Sequence, residues 1–115
     1  MQEMPKAATS KAAYVYVVTR LDIPHPHFSV QIAHAAIAAT FAFGEPDSTH
    51  PNLVVCAVAN EQELDALFNR LKEKGVRCCA WHEEDMGKKL TAIATAPLRG
   101  DERKPLKRLK LIQAP

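Results

Sequence analysis

The sequence lacks the features that mark several common protein classes. Its four glycines form neither a phosphate-binding loop nor a dinucleotide-binding motif, and no nucleophile-elbow or C-x-x-C motif is present. The three cysteines cannot complete a disulfide framework, and two of them, Cys78 and Cys79, are adjacent. The longest apolar stretch, Ile32 to Phe43, is interrupted by His34 and Thr40. These absences argue against a secreted disulfide-rich protein and against a membrane protein, and they predict a cytoplasmic location.

The charge of the chain is nearly balanced. There are 15 Lys and Arg against 13 Asp and Glu, which gives a net charge of +2 and does not by itself indicate a nucleic-acid partner. Residues 98–115 carry six basic and two acidic side chains, a local charge of +4 that leaves −2 for the rest. This segment is the one electrostatic indication of an anionic partner, and an ordinary solvated surface is the alternative interpretation.

The order of apolar runs predicts one α/β domain, with residues 1–12 as a flexible N-terminal tail and 13–115 as the domain. Helices are expected at 28–43, which is rich in alanine, and from Asn60 to Gly75, where Asn60 and Glu63 form a capping pattern. We expect a mixed, mainly parallel sheet of four to five strands between helices, joined by two right-handed parallel crossovers. The expected strands are 13–19, 53–58, 76–81, 90–96 and a more exposed 106–112.

Three polar segments should meet beyond the carboxyl ends of the strands, where ligands gather in such folds. They are the loop from Arg20 to His27, the start of the first helix, and the loop from His82 to Lys89. Gln31 and His34 are three residues apart and therefore share one face of the first helix. His34 could be a general base, a hydrogen-bond donor or a core histidine bonded to backbone.

The second loop concentrates acidic and basic side chains beside a glycine. Gly87 permits a turn, Asp85 could position a water molecule, and Lys88 could bind phosphate or stabilise an oxyanion. An ordinary solvated turn is the alternative. Thr91 and Thr95, on one face of the following strand, could donate hydrogen bonds.

A metal site is disfavoured by spacing. His25 and His27 could hold a metal as an H-x-H pair, but the remaining candidates, 82–85, are consecutive loop residues and not ligands at helical spacing. No metal site is therefore predicted.

Several segments together resemble the type II peptidyl-tRNA hydrolase family, over about residues 14–112. The most specific match is Gln31-Ile32-Ala33-His34-Ala35-Ala36, which resembles the Q-C-x-H-A-A stretch of the family's first helix. Residues 17–22 resemble the first strand and its exit, and Asp85-Met86-Gly87 resembles the D-x-G of a D-x-G-R-T loop. Residues 60–64, 91–97 and 109–112 resemble the next helix start and the last two strands.

The resemblance implies a hydrolase that cleaves the ester between a peptide and the 3′ end of tRNA without metal or organic cofactor. It implies that Asp85 orients or deprotonates water, that Thr91 and the first amides of the helix support the oxyanion, and that Gln31 and His34 order the site. The substrate-binding residues would be Arg20, Gly87, Lys88 and Lys89, with the basic segment from Arg99 to Lys110 meeting phosphate. The match indicates a divergent relative of bacterial type, and its small size and exposed last strand are compatible with a homodimer.

Three polar positions depart from the family pattern. His27 falls where the family carries a lysine, Lys88 replaces the arginine of D-x-G-R-T, and Lys89 replaces the threonine. A histidine is mostly neutral at pH 7 and stabilises an oxyanion less well than a lysine does. The second hypothesis is accordingly a non-catalytic relative that binds RNA, a small anion or a protein partner.

Overall fold

The computed structural model describes residues 12–44 and 50–112, so the predicted N-terminal tail lies almost wholly outside the described residues. The strands are β1 (Ala13–Arg20), β2 (Asn52–Val58), β3 (Cys78–Glu83), β4 (Lys89–Thr95), β5 (Leu98–Arg99) and β6 (Lys110–Leu111). The helices are α1 (His27–Phe43) and α2 (Glu61–Glu73), with 3-10 segments at Glu84–Met86 and Gly100–Leu106.

One mixed sheet runs through the molecule in the order β3-β4-β1-β2-β6, and β5 pairs with the start of β1. Strands β1 and β2 are parallel, with Arg20 opposite Val58. Strand β4 is antiparallel to β1, and β3 is antiparallel to β4, with Glu83 opposite Lys89. The carboxyl ends of β1, β2 and β3 and the start of β4 therefore lie at the same end of the strands. We call this end of the sheet the site edge.

The two helices cover opposite faces of the sheet and bury different kinds of side chain. Helix α2 buries Leu64, Leu67 and Leu71 in a large core with Val18 and Ile93. The α1 face is built from smaller residues. That second cluster comprises Val17, Ala35, Ala39, Ala92 and Ala94. Since successive strand residues point to opposite faces, β1 and β4 must be apolar on both sides to serve the two layers.

Both helices begin and end largely as their sequences predict. Asn60 Oδ1 accepts from Glu63 N–H at 3.0 Å, while Glu63 Oε1 accepts from Ala59 N–H at 2.9 Å. Gly44 ends α1 and Gly75 follows α2, both with positive φ, of 74° and 78°. The caps fix where the helices can begin and end, and the sheet decides which faces they bury.

The prediction of a mixed α/β sheet between helices is confirmed, with six strands among the described residues where four to five were expected. The expectation of a mainly parallel sheet with two parallel crossovers is wrong: among the described pairings β1 with β2 is parallel and the others are antiparallel. After α2 the chain crosses to the other side of β1, where β3 is the outermost strand. Strand β3 therefore pairs with β4 and is not a neighbour of β2. The expected last strand, 106–112, is reduced to Lys110–Leu111, because Leu106 ends a 3-10 segment and a turn at 107–108 follows it.

Leu64 provides a test of the α2 core. Its side chain is fully buried, whereas Leu53 on β2 is 58% exposed. We expect Leu64→Ala to lower the free energy of unfolding by about 2–5 kcal/mol, because it leaves a cavity. Leu53→Ala, the matched control, should change it by about 1 kcal/mol or less. Urea unfolding followed by circular dichroism measures both; equal effects would contradict this description of the core.

Candidate functional site

The centre of the site is the side-chain amide of Gln31, which is 1% exposed between α1 and the sheet. Its Oε1 accepts from the Thr91 hydroxyl at 2.7 Å, and its Nε2 donates to Glu83 Oε1 at 3.0 Å. Thr19 Oγ1 in turn donates to the Thr91 carbonyl at 3.0 Å. The Glu83 carboxylate can only accept, so the Gln31 amide must point its N–H groups at Glu83 and its oxygen at the Thr91 hydroxyl.

Glu83 ends β3 and connects α1 to the turn that follows. Its Oε2 accepts from the backbone N–H of Asp85 at 3.3 Å, and so caps the 3-10 segment that carries Asp85. The Gln31 amide, followed by the Asp85 N–H, holds the pKa of the Glu83 carboxyl below its usual range. Glu83 is therefore an ionised carboxylate whose two oxygens are both held in place.

His34 lies one turn further along α1 and stacks on Trp81. The ring centroids are 4.6 Å apart and the planes differ by 11°. Trp81 Nε1 is buried and has no hydrogen-bond partner of ordinary geometry among the described residues. The Trp81 indole still contributes, less than Gln31 does, to the lowered pKa of Glu83. This arrangement favours a role for His34 in ordering the site through ring stacking. It does not favour the alternative of a core histidine hydrogen-bonded to the backbone.

Arg20 lies at the site edge with all its hydrogen-bonding nitrogens engaged. Its Nε and Nη2 form a bidentate pair with Asp22 at 2.9 and 3.0 Å, and Nη1 donates to the Leu90 carbonyl at 2.9 Å. The Leu90 N–H donates to Glu61 at 3.1 Å, so α2 and the β1 exit both hold the start of β4. The predicted substrate-binding role of Arg20 stays a prediction; its visible role is to join β1 to β4.

The turn after β3 carries the other predicted site residues. Asp85 is exposed, and no side-chain hydrogen bond or ion pair holds its carboxylate within the described ranges. Gly87 is left-handed (φ 69°), as is Lys88 (φ 62°), whose Nζ lies 4.0 Å from Glu84. Lys89 is exposed and lies close enough to Asp22 to help lower its pKa. The turn thus presents one unheld carboxylate and two solvated ammonium groups.

His27 is the first residue of α1 and is exposed. It is four residues before Gln31 and therefore lies on the same face of the helix, one turn nearer its N-terminus. No side chain caps this N-terminus among residues 12–44 and 50–112, and its first turn contains no acidic residue. Of the first-turn N–H groups, that of Phe28 already donates to the Pro24 carbonyl at 3.1 Å. His27 thus lies at the end of α1 nearest the site edge, one turn before the Gln31–Glu83 contact.

The basic C-terminal segment lies mostly away from the site. Arg99 is opposite Ala13, at the other end of β1, and Arg103 stacks over Tyr14 at 3.5 Å while donating to the Tyr16 hydroxyl at 2.8 Å. Only the end of the segment returns to the site edge. Lys110 there lines a 590 Å³ depression together with Leu21, Ala57, Leu111 and Ile112.

Within the described ranges, no group of three or more His, Cys, Asp or Glu side chains is arranged to hold a metal ion. No helix in the same ranges is long and apolar enough to cross a membrane.

Comparison with known proteins agrees with the fold. A family model described as Peptidyl-tRNA hydrolase PTH2 matches residues 12–112. The chain belongs to this peptidyl-tRNA hydrolase family. A solved structure of a protein of unknown function from Agrobacterium tumefaciens is similar in fold, with a TM-score of 0.68 and 16% identity. The match covers 88% of this chain and 98% of that one. No curated protein sequence matches the chain.

In this family member, the structure brings together Gln31, Thr91 and the turn that bears Asp85, while His27 lies at the head of the same helix. Sequence reasoning missed Glu83 as a site residue, since it considered that carboxylate only within the consecutive metal candidates. The available signal was its position at the end of a strand beside the site loop. Trp81 and Glu61 were missed because nothing local marks their contacts with α1 and β4.

The Arg20–Asp22 pair predicts a defined acid sensitivity. The Arg20 hydrogen bond, supported by its charge, lowers the pKa of Asp22 below the ordinary value of about 3.9. Its stabilising effect is therefore complete above about pH 5 and is lost as pH falls through the lowered pKa. We expect Asp22→Asn to be less stable than the wild type near neutral pH, by a modest amount because Asp22 is 43% exposed.

The free energy of unfolding between pH 2 and 7, measured by urea titration, checks this expectation. The difference between wild type and Asp22→Asn should shrink below about pH 4, since the protonated wild-type side chain no longer pairs with Arg20. Asp65→Asn, on the exposed face of α2, is the control and should leave the pH dependence unchanged. A difference that stays constant with pH would contradict the pairing.

Proposed function

We propose that this protein is a peptidyl-tRNA hydrolase that cleaves the ester between a peptide and the 3′-terminal ribose of tRNA, and that it is a divergent, bacterial-type member of its family acting in the cytoplasm. The observation that carries the proposal is the unheld Asp85 carboxylate on a turn that Glu83 and Gln31 hold against the start of α1. The family match supports the reaction class.

Hydrolysis requires a water molecule to attack the ester carbonyl while negative charge develops on its oxygen. In the proposed mechanism Asp85 orients this water and accepts its proton as the new C–O bond forms. The first-turn amides of α1, apart from that of Phe28, which donates to the Pro24 carbonyl at 3.1 Å, support the oxyanion, and His27 takes over part of this role. The carbonyl then re-forms, the ester bond to the ribose breaks, and the leaving ribose oxygen takes the proton that Asp85 accepted from water.

Gln31, His34 and Thr91 order the site in this proposal. Thr91 is fully buried and its proton is donated to Gln31, so we assign it to holding Gln31 and no longer to the oxyanion. His34 packs on Trp81 and keeps the first two turns of α1 against β3. No metal or organic cofactor is required for these roles.

tRNA binding would rest on ammonium groups at the site edge. Lys88, Lys89 and Lys110 are exposed there, and Gly87 shapes the turn that carries the first two. Phosphate contacts of this kind position a nucleic acid without reading its sequence. Within the segment from Arg99 to Lys110, the end is the part that reaches the site edge, because Lys110 lies opposite Ala57 whereas Arg99 lies opposite Ala13. A homodimer stays a prediction.

A second candidate is a non-catalytic relative that binds RNA, a small anion or a protein partner. The observation that favours it is His27, an imidazole at the exposed start of α1 where the family pattern carries the ammonium group of a lysine. It would retain binding through the lysines and lack turnover.

The first test is release of an N-blocked aminoacyl group from tRNA by the purified protein in EDTA. We expect turnover by the wild type and a loss of about 10²-fold or more in Asp85→Asn, because the water loses its proton acceptor. The turnover of His27→Ala shows how much this histidine contributes at the position where the family pattern carries a lysine. Asp101→Asn, on an exposed carboxylate remote from the site edge, is the control.

Absence of wild-type turnover with tRNA still bound would replace the hydrolase proposal by the non-catalytic binder. Turnover that Asp85→Asn leaves unchanged would remove Asp85 from the mechanism while keeping the reaction.

Salt dependence tests where tRNA binds. We expect Lys88→Asn with Lys89→Gln to lower the slope of log affinity against log salt by roughly 0.7–0.9 per lost phosphate contact. Asparagine is chosen at position 88 because it tolerates the left-handed backbone there. The charge-matched control, Lys72→Gln with Lys74→Gln, lies at the opposite end of α2 and should leave the slope unchanged. Equal slopes for all three proteins would place the tRNA elsewhere.

A further inference from the structure

We propose that Glu83 is a positioning residue for the reaction: it fixes the turn that carries Asp85 against the head of α1, and Gln31 and Thr91 transmit that constraint from the sheet. This inference rests on the proposed hydrolase function. The family resemblance did not assign a role to this carboxylate, and the contacts that suggest one join three separate elements.

The first step of the argument is that both oxygens of Glu83 are engaged. Oε1 accepts from Gln31 on α1 at 3.0 Å, and Oε2 accepts from Asp85 N–H, one residue into the 3-10 segment, at 3.3 Å. A carboxylate accepts through both oxygens and donates through neither, so it suits two donors that face each other across a gap. A carboxamide at this position would turn an N–H toward one of the two donors.

The second step is that the other end of this connection cannot move freely. Gln31 is almost completely buried, and a buried amide that loses its partners pays a desolvation penalty. Thr91 holds it at 2.7 Å, and Thr19 holds the Thr91 carbonyl at 3.0 Å. A series of hydrogen bonds therefore runs from β1 through β4 and α1 to Glu83.

The third step is the contrast with neighbouring carboxylates. Glu84 is exposed and lies 4.0 Å from Lys88, an ion pair of two solvated side chains. Asp85 has an unheld carboxylate, which is what a group that must meet water and substrate requires. Of these three consecutive acidic residues, Glu83 alone joins the turn to α1, so the turn's position relative to the first-turn amides depends on it.

The experiment compares Glu83→Gln with Glu84→Gln in the same hydrolysis assay. We expect Glu83→Gln to lower kcat about 10- to 100-fold with KM changed much less, since small misplacements of a reacting group affect the rate strongly. Glu84→Gln removes the same charge one residue away and should leave kcat unchanged. Circular dichroism melts establish that each variant is folded.

A reciprocal exchange separates positioning from charge. In the double variant Gln31→Glu with Glu83→Gln, the carboxylate at position 31 accepts from Thr91 and from the amide at position 83. The carbonyl of that amide accepts from Asp85 N–H, so all three hydrogen bonds can be restored. Gln31→Glu alone places two carboxylates in contact. We expect both single variants to lose kcat and the double variant to recover at least tenfold over Glu83→Gln.

A spectroscopic readout covers variants that fold poorly after a carboxylate is buried at position 31. In the wild type, the Gln31 side-chain amide resonances should shift as Glu83 is protonated, with a midpoint below the ordinary glutamate pKa of about 4.3. The shift should be absent in Glu83→Gln and kept in Glu84→Gln.

The outcomes are distinct. Absence of wild-type turnover removes the hydrolase function and this inference with it. Wild-type turnover with unchanged kcat in Glu83→Gln overturns the inference alone. Loss of kcat in Glu83→Gln without recovery in the folded double variant also overturns it, because Glu83 would then act through its own charge.

Discussion

The buried amide of Gln31 is the constraint on which the rest of the site depends. Helix α1 is rich in alanine and approaches the sheet closely, so a glutamine on its inner face is shut away from water. An unsatisfied buried amide costs about 1–3 kcal/mol, so partners on the sheet must accept and donate at fixed positions. Thr91 and Glu83 do so from two neighbouring strands. The helix is thereby fixed in register as well as packed.

The carboxylates at the site edge differ in which groups hold them in place. Asp22 neutralises the buried Arg20, Glu61 holds the start of β4, and Glu83 joins the turn to α1, so each is committed to structure. Asp85 lies among them with its carboxylate unheld by any described residue. General-base chemistry needs such an arrangement, in which several acidic groups hold the backbone in place and one carboxylate stays available. The reacting group must be positioned and still be free to accept a proton.

The fold and the reaction have different degrees of support. The family match covers nearly all of the domain, and the similar solved structure, at 16% identity, shows the architecture alone. The proposed reaction depends on groups at the start of α1 and on the turn after β3, where His27, Lys88 and Lys89 differ from the family pattern that the sequence resembles. A fold accommodates such changes because these residues are exposed and contribute little to packing. Function therefore has to be argued from the site and tested there.

The sequence by itself determined the helices, four main strands and the polar segments that meet at one edge, because caps, glycine stops and apolar runs are local signals. It also determined that Gln31 and His34 share a helix face, since that follows from spacing. Only the tertiary structure decided that β3 is the outermost strand, next to β4, and that Arg103 contacts two tyrosines. It also decided that Glu83, and not a neighbouring loop residue, contacts Gln31. Those outcomes depend on which strands pair and on which side chains then meet, and such long-range contacts leave no periodic trace in the chain.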